Sequence, residues 1–144
     1  MSRDKGARGE REVRDLLREH GFEAERGRQN RGGPDSPDVR HSMRGYHIEV
    51  KRVESLRLYE ALAQADIDRA DGEVPVVFHK RNGMAWVAIL AAEDFVSLVR
   101  ERDALRVAYD EVSETLAKRL KASRDAAEAS FQKGWDARAD AEED

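Results

Sequence analysis

Residues 46–52, YHIEVKR, alternate between apolar and polar side chains, and this alternation restricts the fold more than any other segment. Alternate residues of a strand share a face, so Ile48 and Val50 point one way while Glu49 and Lys51 point the other. The plain interpretation is a half-exposed strand with a solvated face and a weak surface ion pair. The alternation predicts the strand but leaves open what its polar face does.

The flanking periodicities predict the element order α-β-β-β-α-β-β-α. Helices are expected over 7–20, 56–70 and from 92 almost to the end, with strands over 22–26, 39–41, 46–52, 75–79 and 84–90. Asn82-Gly83 is a strong signal for a hairpin between the last two strands, where Trp86 is expected in the core. If strands 39–41 and 46–52 also pair as a hairpin, Asp38 comes beside Glu49.

Length and composition restrict the class of protein. The 144 residues suit one compact domain with an appendage, and we expect boundaries of 1–95 and 96–144. The chain has no cysteine, no secretory signal and no segment long enough to span a bilayer, so we expect a cytoplasmic protein without thiolate metal sites. Net charge is −4, yet residues 1–57 hold 14 Lys and Arg against 11 Asp and Glu.

Three carboxylates are candidates for one site. Asp38 and Glu49 would repel each other if they lie close together, unless a cation sits between them. Glu10 lies on the same side of its helix as Val13 and Leu17, where a carboxylate is costly unless it is paired or bound to metal. Glu10 is alternatively a helix-start glutamate favoured by the helix dipole.

An oxygen-rich site beside an ammonium suits metal-assisted hydrolysis of a phosphodiester. A hard cation such as Mg²⁺ binds carboxylates, lowers the pKa of a bound water and neutralises charge in the transition state. Lys51 would orient or deprotonate the water, or stabilise the developing charge, and these roles stay open. The backbone carbonyl of Val50 is a further candidate ligand.

The motif "PD…IEVK" resembles the signature of the PD-(D/E)xK nucleases. The N-terminal stretch KGARGEREVRDLLREHGFEAER, residues 5–26, resembles the opening of archaeal-type Holliday junction resolvases, with Lys-Gly-x-x-x-Glu-Arg-Glu, a leucine-bearing helix and Gly-Phe. The resemblance covers residues 5–95. It implies a restriction-endonuclease-like α/β fold with a mixed central sheet flanked by helices. It also implies a Mg²⁺-dependent site, for which Mn²⁺ is expected to substitute, and a homodimer that nicks two strands of a four-way junction.

Carried over by position, the resemblance implies roles for individual residues. The metal ligands would be Glu10, Asp38 and Glu49, and the catalytic lysine would be Lys51. The loop over 27–37 has a doubled Pro-Asp, so Asp35 is a rival to Asp38; we prefer Asp38 because it abuts the strand. The downstream segment resembles small phage-encoded nucleases, some of which place a glutamine after the lysine.

Gln64 is the candidate for that catalytic glutamine, or it is an ordinary helical residue. Several basic residues would contact DNA phosphate, or are solvated surface charges. The DNA-binding candidates are Lys5, Arg11, Arg26, Arg28, Arg52, Lys80 and Arg81.

The last fifty residues predict an amphipathic helix with an acidic tail. Leu98, Leu105 and Val112 are seven apart, whereas Arg102 and Arg119 interrupt the heptad. The helix would either dimerise or pack on its own domain.

The combined motifs predict a structure-selective endodeoxyribonuclease of DNA recombination and repair that acts on branched DNA. Alternatives are another repair or restriction-like nuclease of the same superfamily, or a non-catalytic DNA-binding module on the same fold.

Overall fold

A computed structural model of the chain describes residues 2–27 and 37–142. The predicted order of elements is confirmed. The helices are α1 (Ser2–Glu19), α2 (Leu58–Asp68) and α3 (Ala92–Glu142). The strands are β1 (Ala24–Arg26), β2 (Val39–His41), β3 (Tyr46–Arg52), β4 (Val74–Lys80) and β5 (Val87–Ile89).

The strands form two small sheets, and together with the helices they give the mixed α/β fold that we expected. β3 pairs with β4 in parallel over all seven of its residues, and β4 pairs with β5 antiparallel. β1 and β2 form a separate antiparallel pair. The β2–β3 hairpin considered as one possibility does not form, because β2 bonds to β1 and β3 bonds to β4.

β3 is covered on both faces, as strands in parallel pairing usually are. One core cluster joins Val13 and Leu17 of α1 to Ile48 and Val50 of β3. A second cluster packs Ala61 and Ala65 of α2 against β4. The fully buried Ile48 contributes about 1.5–3 kcal/mol to stability. The interpretation of β3 as half-exposed with a solvated face is wrong, since Glu49 is 6% exposed.

The β4–β5 hairpin is confirmed, but its loop is longer than a two-residue turn. The last paired residues are His79 and Val87, and Gly83 in the loop has a φ of +71°. Trp86 is partly buried against the first core cluster, as expected. The Asn-Gly signal therefore located the chain reversal between β4 and β5 correctly. The loop is longer than two residues and includes Trp86, which packs against the core.

The chain divides into two compact units, Met1–Phe95 and Val96–Asp144. The first unit contains all five strands with α1 and α2. Across 96–135 of the second unit, no side chain is buried. Among the described helices, none has the length and apolar character needed to cross a membrane.

Replacing Gly27 with Ala is predicted to destabilise the first unit. Its N–H donates to the carbonyl of Asp38 at 2.9 Å, and an added Cβ would overlap the Pro37 carbonyl oxygen. The backbone carbonyl of Pro37 cannot move aside as the end of a flexible side chain can. We therefore expect the free energy of unfolding, measured with urea, to fall by about 2–3 kcal/mol.

Gly6→Ala is the matched control for that substitution. Gly6 lies in α1 with no heavy atom within 4 Å of an added Cβ, so alanine should be neutral or stabilising by up to about 1 kcal/mol. Equal stabilities of the two variants would contradict the tight approach at Gly27.

Candidate active site at the open edge of β3

The first component of the site is the bond between Asp38 and β3. Asp38 immediately precedes β2, and its Oδ2 accepts the backbone N–H of Val50 at 2.9 Å. In an extended strand the N–H and C=O of one residue point to the same edge. The Val50 carbonyl therefore lies on the same open edge of β3 as the Asp38 carboxylate, away from β4.

The second component is the Glu-x-Lys pair on the face of β3 that α2 covers. Lys51 Nζ donates to Glu49 Oε1 at 2.5 Å and to Gln64 Oε1 at 3.0 Å. Strand periodicity places Glu49 and Lys51 on one face of β3. Gln64 lies on α2, which packs over that face. The structure thus brings Gln64 to the lysine, although it is otherwise an exposed helical residue.

The third component is Glu10 of α1. It is 4% exposed and lies on the same side of the helix as the buried Val13 and Leu17, as its spacing predicted. Arg26 Nε of β1 donates to Glu10 Oε2 at 2.5 Å. A carboxylate this deeply buried needs such a charge-assisted bond.

The three carboxylates lie close enough to affect one another. Burial and then the charge of Glu49 raise the pKa of Asp38 to about 6, and Glu10 adds to the rise. The Val50 hydrogen bond and the charge of Lys51 act in the opposite direction. A cation between these groups would relieve the repulsion.

The donor set has the chemistry that a hard divalent cation prefers, because it consists of carboxylate oxygens and a backbone carbonyl. Among residues 2–27 and 37–142, however, no group of three or more His, Asp or Glu side chains is placed so that it could hold a metal ion. In the structure Glu10 pairs with Arg26 and Glu49 pairs with Lys51. Metal binding would require these carboxylates to turn from their cations.

A second polar cluster lies on the α1 side of the sheet, around Glu12. Its carboxylate accepts from Lys80 at 3.0 Å and from Arg8 at 2.9 Å, and Arg52 Nε lies 3.5 Å away. Burial raises the pKa of Glu12, but the hydrogen bonds from Lys80 and Arg8 outweigh it and lower that pKa. Sequence reasoning missed Glu12, although its place two residues after Glu10 in the same Glu-Arg-Glu motif was a usable signal.

The remaining predicted DNA-binding residues are distributed as follows. Lys5 and Arg11 are exposed on α1, and Arg81 is exposed in the β4–β5 loop. Lys80 Nζ also lies 5.7 Å from the ring centre of Trp86. Arg28 and Asp35, the rival to Asp38, lie outside the described residues.

Comparison with known proteins gives the family. A family model described as archaeal Holliday junction resolvase (Hjc) matches residues 1–94. The chain belongs to this family. The matched range includes α1, α2 and all five strands with every proposed site residue, and it ends two residues after the start of α3.

The chain is also similar to a solved structure, whereas curated protein sequences give no match. The Holliday junction resolvase Hjc from the archaeal hyperthermophile Archaeoglobus fulgidus is similar at 26% identity, over 58% of this chain and 74% of that chain, with a TM-score of 0.44. A search of curated protein sequences found no significant match.

The raised pKa of Asp38 predicts how this Hjc-family chain responds to pH without metal. The folded pKa of about 6 exceeds the ordinary 3.8, so the folded state binds the proton more tightly and stability falls as pH rises from about 4 to 6. Ionised Asp38 then costs up to about 3 kcal/mol. In EDTA at pH 7.5, the free energy of unfolding of Asp38→Asn should be about 1–2 kcal/mol higher than that of the parent. This value allows for the weaker hydrogen bond from Val50 to the amide oxygen.

The advantage of Asp38→Asn should disappear below about pH 4, where the parent carboxyl is protonated. Asp71→Asn, at an exposed position, is the control and should change the unfolding free energy little at either pH. If the Asp38→Asn variant is less stable than the parent at pH 7.5, the carboxylate is not strained by its neighbours.

Proposed function

We propose that this chain is a divalent-metal-dependent endodeoxyribonuclease that resolves four-way DNA junctions by hydrolysing one phosphodiester on each of two strands. The observation that supports the proposal is that the charges of Glu49 and Glu10 both act on the Asp38 carboxylate, with Lys51 bonded to Glu49, in a chain of the Hjc family. Mg²⁺ is the expected ion and Mn²⁺ the expected substitute.

Glu10, Asp38, Glu49 and the Val50 carbonyl would hold the cation on the open edge of β3. The cation would supply a water of lowered pKa and charge neutralisation at the phosphate. Every other task belongs to the chain. Asp38 is positioned by a bond to the backbone of β3, so its orientation does not depend on a mobile side chain.

Lys51 would act directly on the substrate. An ammonium has three donors, and Glu49 and Gln64 take two of them. The third N–H of Lys51 would be available for a phosphate oxygen or the attacking water. The two hydrogen bonds to Glu49 and Gln64 would fix the orientation of this ammonium. Gln64 is thus proposed as a positioning residue for Lys51, and Arg26 has the same role for Glu10.

DNA would be held through phosphate contacts, which carry affinity without sequence information. Such contacts suit an enzyme that recognises branched shape. The proposed set is Lys5, Arg11, Arg26, Arg28, Arg52, Lys80 and Arg81. Glu12 would keep Arg52 and Lys80 on one surface through the bonds described above. A homodimer inside the cell, with one site for each of two strands, completes the proposal.

Cleavage of a synthetic four-way junction is the direct test. With Mg²⁺ the parent should give paired nicks on opposing strands, whereas Glu49→Gln and Lys51→Ala should each lose about 10²-fold or more in rate. Glu49→Gln weakens a proposed ligand of the cation, and Lys51→Ala removes a positive charge at the phosphate. Both variants should retain junction binding in EDTA. Glu60→Gln, at an exposed position of α2, is the control and should cut normally.

Several outcomes decide between the candidate functions. Cleavage of plain duplex and junction at equal rates would contradict junction selectivity and favour another nuclease of the superfamily. If the chain binds the junction but does not cleave it in Mg²⁺ or Mn²⁺, the hypothesis of a non-catalytic DNA-binding module is favoured. Turnover that survives Lys51→Ala would contradict the role proposed for that residue.

Salt dependence of junction binding tests the phosphate contacts. Arg81→Ala should reduce the slope of log K against log salt by about 0.9, as expected for one lost contact. Arg69→Ala removes a surface arginine, paired with Asp66, that is not in the proposed set and should leave the slope unchanged. Equal slopes for Arg81→Ala and the parent would remove Arg81 from the binding surface.

A further inference from the structure

The second unit, Val96–Asp144, has an exposed apolar stripe on α3. The function proposed for the first unit does not explain this stripe. Leu98, Leu105, Tyr109, Val112, Leu116 and Leu120 lie within an arc of about 80° on α3, at 100° per residue. Each is between 39% and 72% exposed. In proteins most helical stability comes from packing of an apolar face, and a contiguous exposed apolar stripe marks an interaction surface.

The stripe continues towards the C-terminus after a change of spacing. Leu116 and Leu120 are four apart where the heptad asks for three, and at 100° per residue Phe131 and Trp135 lie about 60° and 100° round the helix from Leu98. The rings of Phe131 and Trp135 meet edge to face with centroids 6.2 Å apart. The stripe is therefore straight over 98–120 and then turns round the helix, so that Phe131 and Trp135 lie at its flank.

Charge along the helix points to the identity of that partner. Residues 107–117 contain three acids and no base, whereas residues 118–124 contain four bases and no acid. A second copy running antiparallel places the acidic block of each helix opposite the basic block of the other. A parallel copy would place like charges together, with Arg102 and Arg119 each facing its own counterpart in the seam.

We propose that α3 pairs with α3 of a second copy of this chain as an antiparallel coiled coil whose two-fold axis passes near Leu116. In this register Asp110 lies beside Arg124 of the second copy, and Glu101 lies beside Lys133 of the second copy. Leu98 then lies near Trp135 of the second copy. The family match ends at residue 94, so this surface belongs to the appended helix and contains none of the proposed site residues.

Disulfide trapping of the full-length chain tests the direction and register, because the chain has no cysteine of its own. Leu116→Cys should cross-link to itself on mild oxidation, since residue 116 meets its own copy at the axis. Leu98→Cys alone should not, but a mixture of Leu98→Cys with Trp135→Cys should give the mixed dimer. Self-linking of Leu98→Cys at the rate of Leu116→Cys would overturn the antiparallel arrangement.

Charge reversal tests whether the second copy is held by the pairs that the register predicts. On the Leu116→Cys background, one variant carries Glu101→Lys with Asp110→Lys and the other carries Arg124→Glu with Lys133→Glu. Each variant alone has four like-charge contacts per dimer and should cross-link about tenfold more slowly than the parent. A mixture of the two restores every pair and should recover the parent rate.

Two results would overturn the proposal. If neither Leu116→Cys nor the Leu98→Cys and Trp135→Cys mixture cross-links at micromolar concentration, a second copy does not occupy the face, and a different protein or none does. If the two charge variants cross-link as fast mixed as separate, the charge blocks do not hold the pair. The proposed site residues are unaltered in these variants, so the rate of single nicks in a junction should match that of the parent, which separates failure here from failure of the nuclease.

Discussion

The burial of three carboxylates that repel one another beside β3 is the constraint on which the candidate site depends. Each acidic group there is held by a contact that ties two elements together. Glu10 joins α1 to β1 through Arg26, and Glu49 joins β3 to α2 through Lys51 and its partner Gln64. Asp38 ties the start of β2 to β3. Site and scaffold are therefore held by the same bonds.

The site is not arranged for stability alone. Asp38 carries a pKa near 6 because burial and Glu49 oppose its charge, and groups perturbed in this way cluster at functional sites. Glu12 shows the contrasting case on the other side of the sheet, where one carboxylate is surrounded by basic groups and its pKa is lowered. The two clusters therefore differ in charge: the first concentrates carboxylates, which in the proposed function would hold a cation, and the second gathers basic groups, which would contact phosphate.

Much of the fold could be predicted from local pattern. The period of α1 identified Glu10 as inward-facing, and the alternation of 46–52 gave the limits of β3 and the shared face of Glu49 and Lys51. The partner of β2 could not be predicted, because this short strand carries no signal that distinguishes β1 from β3. Glu12 was missed for a related reason: its partners Arg52 and Lys80 come together only in the folded sheet.

By itself, the sequence determined the order of elements, the face on which each acidic side chain lies and the residues that make the nuclease motif, because these follow from backbone periodicity and spacing. Only the tertiary structure decided which strand pairs with which, the burial of β3 on both faces and the contacts that raise the pKa of Asp38. These depend on groups far apart in the chain. Pairing and burial between such groups are set by packing, which local periodicity does not encode.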